Sequence, residues 1–275
     1  VRARRILVAL DGSPESRAAL AAAARLAVST GAGLAGLFVE DVELLRLAGL
    51  PFAREAGLSS GVFRRLAVSD IELRFRVSAE RAREALREVA EGSGLVSSFR
   101  VTRGRVVPEI LRAASEADVV AAGKRSAPGP AGRRLGGTLR SLIASVPGPI
   151  LVGGLHVVSA GPLVVVSGAT TFPEEALVFA SLLARAFGAP EVVVAEEGGV
   201  GSQHVPSGIR VRRRVIPPPS AGGLKALPEI ASACAVVLVR PEGGASHELL
   251  VALAETVICP VFIVGPLGLA QLLSA

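Results

Sequence analysis

Arg5-Ile6-Leu7-Val8-Ala9-Leu10-Asp11-Gly12-Ser13-Pro14-Glu15 is a short apolar run that stops at an acid, turns on a glycine and restarts as a helix. The apolar run has no polar alternation, as expected of a parallel strand buried on both faces. Ser13 suits the N-cap of the following helix, Pro14 its first position and Glu15 its first turn. The helix over residues 15–29 is rich in alanine and stops near Gly31, and residues 33–39 form a second apolar strand. Strand, helix and strand in this order begin an α/β fold with a parallel sheet.

Outward from this opening the alternation continues. Residues 40–70 read as an irregular insertion, 79–91 as an amphipathic helix and 99–102 as a strand. Residues 108–117 follow as a helix with Pro108 at its first position, and 118–122 as a strand. After a glycine-rich loop come a helix at 138–145 and a strand at 149–152. The plan then repeats in worn form. Strands are expected at 162–166, 191–195, 235–239 and 259–264, and helices at 173–187 and 247–255. The segment 258–265 mirrors 146–153, both closing on an apolar run and a glycine. The pattern predicts an internal duplication: two doubly wound, mostly parallel sheets of five-stranded type in tandem, over residues 1–153 and 160–275. In such sheets ligands bind at the carboxyl ends of strands, where Asp11 and the loop after residue 122 can converge.

That loop reads Gly123-Lys-Arg-Ser-Ala-Pro-Gly-Pro-Ala-Gly-Arg-Arg-Leu-Gly-Gly-Thr138. Small residues let backbone N–H groups approach an anion, and the helix behind them adds its unpaired donors and positive dipole end. Lys124, Arg125, Arg133 and Arg134 suit a polyphosphate by their charge.

The net charge of +6 is unevenly divided. Residues 1–152 hold 23 Lys and Arg against 15 Asp and Glu, and residues 153–275 hold 7 against 9. Most arginines outside the loop sit beside glutamates on helices and read as solvated faces, and the run Arg210–Arg214 reads as the charged face or edge of a strand. With nine Phe and no Trp or Tyr, stacking on nucleic-acid bases is disfavoured, so no specific nucleic-acid partner is expected. No apolar stretch approaches the roughly 20 residues of a membrane span, and the run behind Arg2, Arg4 and Arg5 is too short for a signal-peptide core, so a cytoplasmic protein is expected. Cys234 and Cys259 lie in strand-like runs and read as buried small hydrophobes. His156, His204 and His247 are dispersed, without metal-ligand spacing. The Walker A signature, the dinucleotide-binding glycine pattern and the hydrolase nucleophile elbow are all absent.

Together these features resemble the universal stress protein family, in the form with two such domains in one chain and a degenerate second one. The resemblance rests on the opening Arg5–Ser13, and on a loop close to the family's Gly-x2-Gly-x9-Gly-Ser/Thr followed by a helix and a proline-bearing last strand. It implies an adenine nucleotide alpha hydrolase-like fold and, in the family's ATP-binding branch, ATP with Mg²⁺ as ligand. Carried onto this sequence, Asp11 would accept hydrogen bonds from the adenosine part and Val39 would lie against the adenine. Ala122 and Gly123 would give close backbone contact. Gly136, Gly137 and Thr138 would hold the β and γ phosphates, with the Thr138 hydroxyl toward the metal. The loop departs from the pattern in placing Ser126 at the second glycine and Gly137 where Ser or Thr is expected, although Thr138 follows at once. Pro128 and Pro130 remove two N–H donors.

In the second half, Ser167-Gly168 stands where Asp11 stood, and Arg240-Pro241-Glu242-Gly243-Gly244 is too short for the loop. No nucleotide site is expected there, and this half reads as the packing partner of an intramolecular pseudo-dimer, itself capable of further dimerisation. Two functions fit. One is a stress-response module that binds ATP in its first domain as a regulatory ligand, with slow or no hydrolysis, and is not an enzyme. The alternative is a nucleotide-free interaction or scaffold protein whose basic loop meets an acidic protein partner. Asp11 also has a purely structural role open to it, as a cap for backbone donors in the turn.

Overall fold

The computed structural model describes residues 5–56, 63–125, 135–154, 161–167, 174–196, 209–215, 227–240, 247–265 and 268–269. The first half runs β1 (Arg5–Ala9), α1 (Pro14–Thr30), β2 (Gly33–Asp41), α2 (Val42–Ala48), β3 (Arg54–Ala56), β4 (Phe63–Arg65), α3 (Val68–Ser93), β5 (Ser97–Gly104), α4 (Val106–Ala114), β6 (Val119–Ala122), α5 (Gly137–Ser145) and β7 (Ile150–Val152). The second runs β8 (Leu163–Ser167), α6 (Glu174–Phe187), β9 (Glu191–Glu196), β10 (Arg210–Val215), α7 (Pro228–Ser232), β11 (Ala235–Val239), α8 (His247–Thr256) and β12 (Val261–Val264).

The two five-stranded sheets expected from the sequence are present, and they fuse edge to edge. The order is β10-β9-β8-β11-β12-β7-β6-β1-β2-β5, and β3 and β4 form a separate antiparallel hairpin. Within each half all neighbours are parallel. At the junction β7 and β12 run antiparallel, with Val152 opposite Val261, Leu151 opposite Phe262 and Ile150 opposite Ile263. These are the closing strands of the two mirrored segments. All six side chains are fully buried, so the junction is built like a core rather than a linker.

Buried alternation explains why this sheet takes helices on both faces. Ile6 and Val8 of β1 pack toward α1 and α3 with Leu20, Leu26, Ile71 and Phe75. Leu7 faces the other way, among Ile110, Leu139 and Leu142. In the second half Phe262 receives Phe179 and Phe187 edge-on, at 5.9 and 5.8 Å between ring centroids. The outermost strands, β5 and β10, are the charged ones. Arg100 and Arg103 lie on β5, and Arg210, Arg212, Arg213 and Arg214 on β10, which discourages pairing with another sheet edge. The arginine run of β10 is therefore an edge strand. Arg212 pairs with Glu191 at 2.8 Å, and Arg214 with Glu229 at 3.1 Å.

Three local expectations need correction. The insertion is more regular than its composition suggests, holding α2 and the β3–β4 hairpin. Helix α3 begins at Val68 rather than at residue 79, because Ile71, Phe75, Ala79, Ala82, Leu86 and Ala90 form one continuous buried stripe. Pro108 is the third residue of α4, not the first. Its missing N–H costs nothing there, since the first turn of a helix has no intrahelical partners for those groups.

Candidate functional site

Strands β1 and β6 are neighbours, with Ala9 opposite Ala122. The chain therefore leaves the sheet at Asp11 and at Gly123 side by side, although the two are far apart in sequence. β1 is also where the strand order reverses, with β2 and β5 on one side and β6 and β7 on the other. That switch point opens a crevice at the carboxyl ends of the strands.

The turn after β1 is fully organised. Asp11 Oδ1 accepts from the Ser13 N–H at 2.9 Å, Gly12 takes a positive φ of 81°, and the Ser13 hydroxyl accepts from the Ser16 N–H at 3.1 Å. Asp11 thus does cap a backbone donor. Among the described residues its second carboxylate oxygen has no hydrogen-bond partner, so it can still accept from a ligand.

Gly123 approaches the start of α1 as closely as a residue can. A Cβ there would stand 2.8 Å from both Glu15 C and Ser16 N, so any larger residue would push the loop off the helix. At the far end of the loop the Gly136 N–H donates to the Lys124 carbonyl at 2.8 Å, which pinches the loop shut at its base. Gly136 is also the N-cap of α5, and no side chain caps that helix. The N–H groups of Gly137, Thr138 and Leu139 have no intrahelical acceptor and form the kind of donor set that receives anions.

A cleft of about 210 Å³ joins these parts. Leu10 and Asp11 line it from the turn after β1, and Leu37, Val39 and Asp41 from β2. Val106 and Ile110 contribute from α4, Ala122 to Arg125 from the end of β6, Gly136, Thr138 and Leu139 from the start of α5, and Ser16 from α1. Of the residues singled out in the sequence, the cleft brings together Asp11, Val39, Ala122, Gly123, Gly136 and Thr138. Gly137 lies between two lining residues at the exposed start of α5. Ser126, together with Pro128, Pro130, Arg133 and Arg134, lies outside the described residues.

Sequence reasoning missed Asp41, which caps α2 by accepting from the Glu43 N–H at 2.9 Å while lining the cleft. An acid placed just before a helical run was the available signal. The apolar wall of Leu37, Val106 and Ile110 gave no signal, because such residues also fill ordinary cores.

Two loop cations depart from their expected role. Lys124 Nζ reaches the second half and donates to the carbonyl oxygens of Ala254, at 3.0 Å, and Val257. Arg125 pairs with the buried Glu15 at 3.3 Å. The physical reason is that α8 ends in unpaired carbonyls beside Lys124, and Glu15 is a buried carboxylate in need of a cation.

The family model for universal stress proteins matches residues 2–153. The chain belongs to the universal stress protein family. Among solved structures it is similar to a universal stress protein from Archaeoglobus fulgidus, at 18% identity and a TM-score of 0.58, over 95% of this chain and 98% of that one. It is also similar to a functionally unknown protein from Pseudomonas aeruginosa PAO1, at 15% identity and a TM-score of 0.61, over 98% of this chain and 95% of that one. At these identities the likeness establishes the fold. No curated protein matches the sequence.

In the second half of this universal stress protein, the residues that follow β8 and β11 at 168–173 and 241–246 lie outside the described residues. Ser167 closes β8 in full burial, and Arg240 follows β11 with its Nε and Nη2 atoms buried. Among the described residues no helix is long and apolar enough to cross a membrane, and no cluster of three or more His, Cys, Asp or Glu is placed to hold a metal ion.

Proposed function

We propose that the first half binds one adenine nucleotide, ATP in its Mg²⁺ form, as a regulatory ligand of a stress-response protein, and that the protein is not an enzyme. The single observation that carries this reading is the cleft at the switch point. There a carboxylate with a spare acceptor, an apolar slot and an uncapped helix N-terminus face one space.

Each part of the nucleotide finds chemistry suited to it. The adenine lies in the slot between Val39, Leu37, Val106 and Ile110, whose apolar walls favour a flat ring over water. The free oxygen of Asp11 accepts from the adenosine part. The phosphates lie along the start of α5, where the N–H groups of Gly137 and Thr138 and the helix dipole meet their charge. Cavities that enclose small ligands run from about 300 to 1,000 Å³. A cleft of about 210 Å³ is small against that range and suits a nucleoside whose phosphates extend outside it. Mg²⁺ would be carried by the phosphates, with the Thr138 hydroxyl as its contact from the chain.

The degenerate second domain, over residues 160–275, completes an intramolecular pseudo-dimer with the first, over 1–153. The antiparallel pairing of β7 with β12 supports this reading. Calorimetric titration with ATP and Mg²⁺, after a check for nucleotide released on denaturation, tests the proposal. Saturable binding of one nucleotide per chain is expected. No binding and no carried nucleotide would overturn it, and would favour the scaffold alternative in which the same fold acts through protein partners.

A further inference from the structure

Both ends of the loop that leads from β6 to α5 are tied to one short stretch of the second half. At the loop's start, Lys124 Nζ donates to the carbonyls of Ala254 and Val257. At its end, Glu255 Oε1 accepts from the Leu135 N–H at 3.0 Å and from Arg140 Nη2 at 2.6 Å. Arg140 Nε also donates to the Leu135 carbonyl at 3.3 Å, so the carboxylate, the guanidinium and the loop backbone close one small network. Between the two ties the Gly136 N–H donates to the Lys124 carbonyl.

The chemistry of each tie is definite. Lys124 places a cation on the carbonyls that end α8, where the helix dipole is negative. Glu255 places a carboxylate on a backbone donor just before the N-cap of α5, where the dipole is positive. The arrangement is one-way. Helix α5 holds the place in the first half that α8 holds in the second, each preceding the last strand of its half. Residues 137–145 contain no acid, so α5 has no carboxylate to return the contact.

We propose that the last turn of α8 is a clasp that positions the anion loop of the first half, with Glu255 as its positioning residue. This rests on the nucleotide reading above only for its consequence, since the clasp itself exists without ligand. The consequence is reciprocal. A nucleotide that steadies Lys124, Leu135 and the start of α5 also steadies the end of α8, and a change at α8 alters nucleotide affinity by the same factor. A second half without a nucleotide site of its own would in this way still read the state of the first.

Hydrogen exchange on the ligand-free full chain tests the clasp directly. Glu255→Ala should speed exchange about tenfold or more in peptides covering 135–142, with β1 and β2 unchanged. Glu255→Gln keeps an acceptor for the Leu135 N–H but loses the charge facing Arg140, and should fall between wild type and Glu255→Ala. Lys124→Met should loosen residues 254–257 in the same way. Unchanged exchange in Glu255→Ala and Lys124→Met would overturn the clasp, as would a global rise that includes β1 and β2.

The ligand arm is separate. ATP should slow exchange at 250–257 in the wild type, and Glu255→Ala should weaken ATP binding about five- to fiftyfold. ATP that binds the wild type but leaves both quantities unmoved refutes the coupling. A wild type that binds no ATP refutes the nucleotide reading, while the ligand-free exchange still decides the clasp.

Discussion

Two glycines of the site should respond to the same substitution with opposite signs. At Gly123 a Cβ would lie 2.8 Å from two backbone atoms of α1, against an ordinary contact of 3.4 Å or more. Those atoms belong to a helix start fixed by Ser13 and by the packing of α1, so they cannot swing aside as a flexible side chain would. Gly123→Ala must therefore push the β6 end and α1 apart by roughly half an ångström, and overpacking of this kind costs about 1–3 kcal/mol. At Gly137 a Cβ would meet nothing within 4 Å, and the residue opens a helix, where alanine is favoured over glycine by up to about 1 kcal/mol. Gly137→Ala should thus keep or raise stability, yet weaken nucleotide binding by crowding the donors of α5. Urea unfolding followed by circular dichroism, alongside ATP titration, separates the two effects. Gly123→Ala within about 0.5 kcal/mol of wild type, or Gly137→Ala as costly as Gly123→Ala, would refute the steric argument.

Asp11→Asn keeps an acceptor for the Ser13 N–H, so it should unfold like wild type while binding ATP more weakly; Asp11→Ala should in addition cost about 1 kcal/mol in urea, and wild-type affinity in both variants would remove the adenosine contact. Burial pushes the thiols of Cys234 and Cys259 up to about 11 and about 12, so neither should react with a thiol reagent at pH 8 until the protein unfolds, and rapid labelling of the native protein would contradict the packing. The Glu229 carboxyl is held below the usual carboxylate range by its own backbone N–H and then by Arg214 and Arg212. Its contribution is present above the unfolded value of roughly 4.3 and is lost as pH falls through the lower folded one, so Glu229→Gln should flatten the acid limb of stability against pH, and an unchanged limb would refute this. Arg240 has Nε and Nη2 buried without a partner among the described residues, and burial pushes its pKa below the usual arginine value. Arg240→Met should therefore leave stability unchanged or raise it by about 1–2 kcal/mol, and a clear loss in thermal unfolding would show that the guanidinium does hold a partner.

The sequence made the alternation legible because its signals are local. Ser13, Pro14 and Gly31 mark the ends of α1 by capping rules, and the structure places all three in those roles. The mirrored endings at 146–153 and 258–265 were also legible as a repeat, but not as neighbours. Nothing local in Ile150-Leu151-Val152 says that its partner is the antiparallel Val261-Phe262-Ile263, because a long-range pairing is set by the whole topology. In the site, Asp11 and Gly123 stood out because each has an unusual chemical or steric demand. Val106, Ile110 and Leu37 did not, since an apolar wall of a cleft and an apolar wall of a core have the same composition.

Charge is where reading along the chain and reading in space diverge most. Four cations between Gly123 and Gly136 look like a phosphate grip when only the loop is considered. Two of them have nearer partners that the fold supplies: Arg125 the Glu15 carboxylate, buried at the start of α1, and Lys124 the carbonyl oxygens at the end of α8. A buried carboxylate without a cation would cost several kcal/mol, more than a loop charge gains from a mobile phosphate, so Glu15 holds Arg125. On the proposed reading, Lys124 and Arg125 line the cleft with their charges already engaged, and the start of α5 offers the nucleotide backbone donors. That division predicts a nucleotide affinity less sensitive to salt than a loop with Lys124 and Arg125 free would give, because fixed dipoles are screened less than exposed cations. A steep fall in ATP affinity between low and high salt, retained in Gly137→Ala, would instead show that loop cations carry the contact.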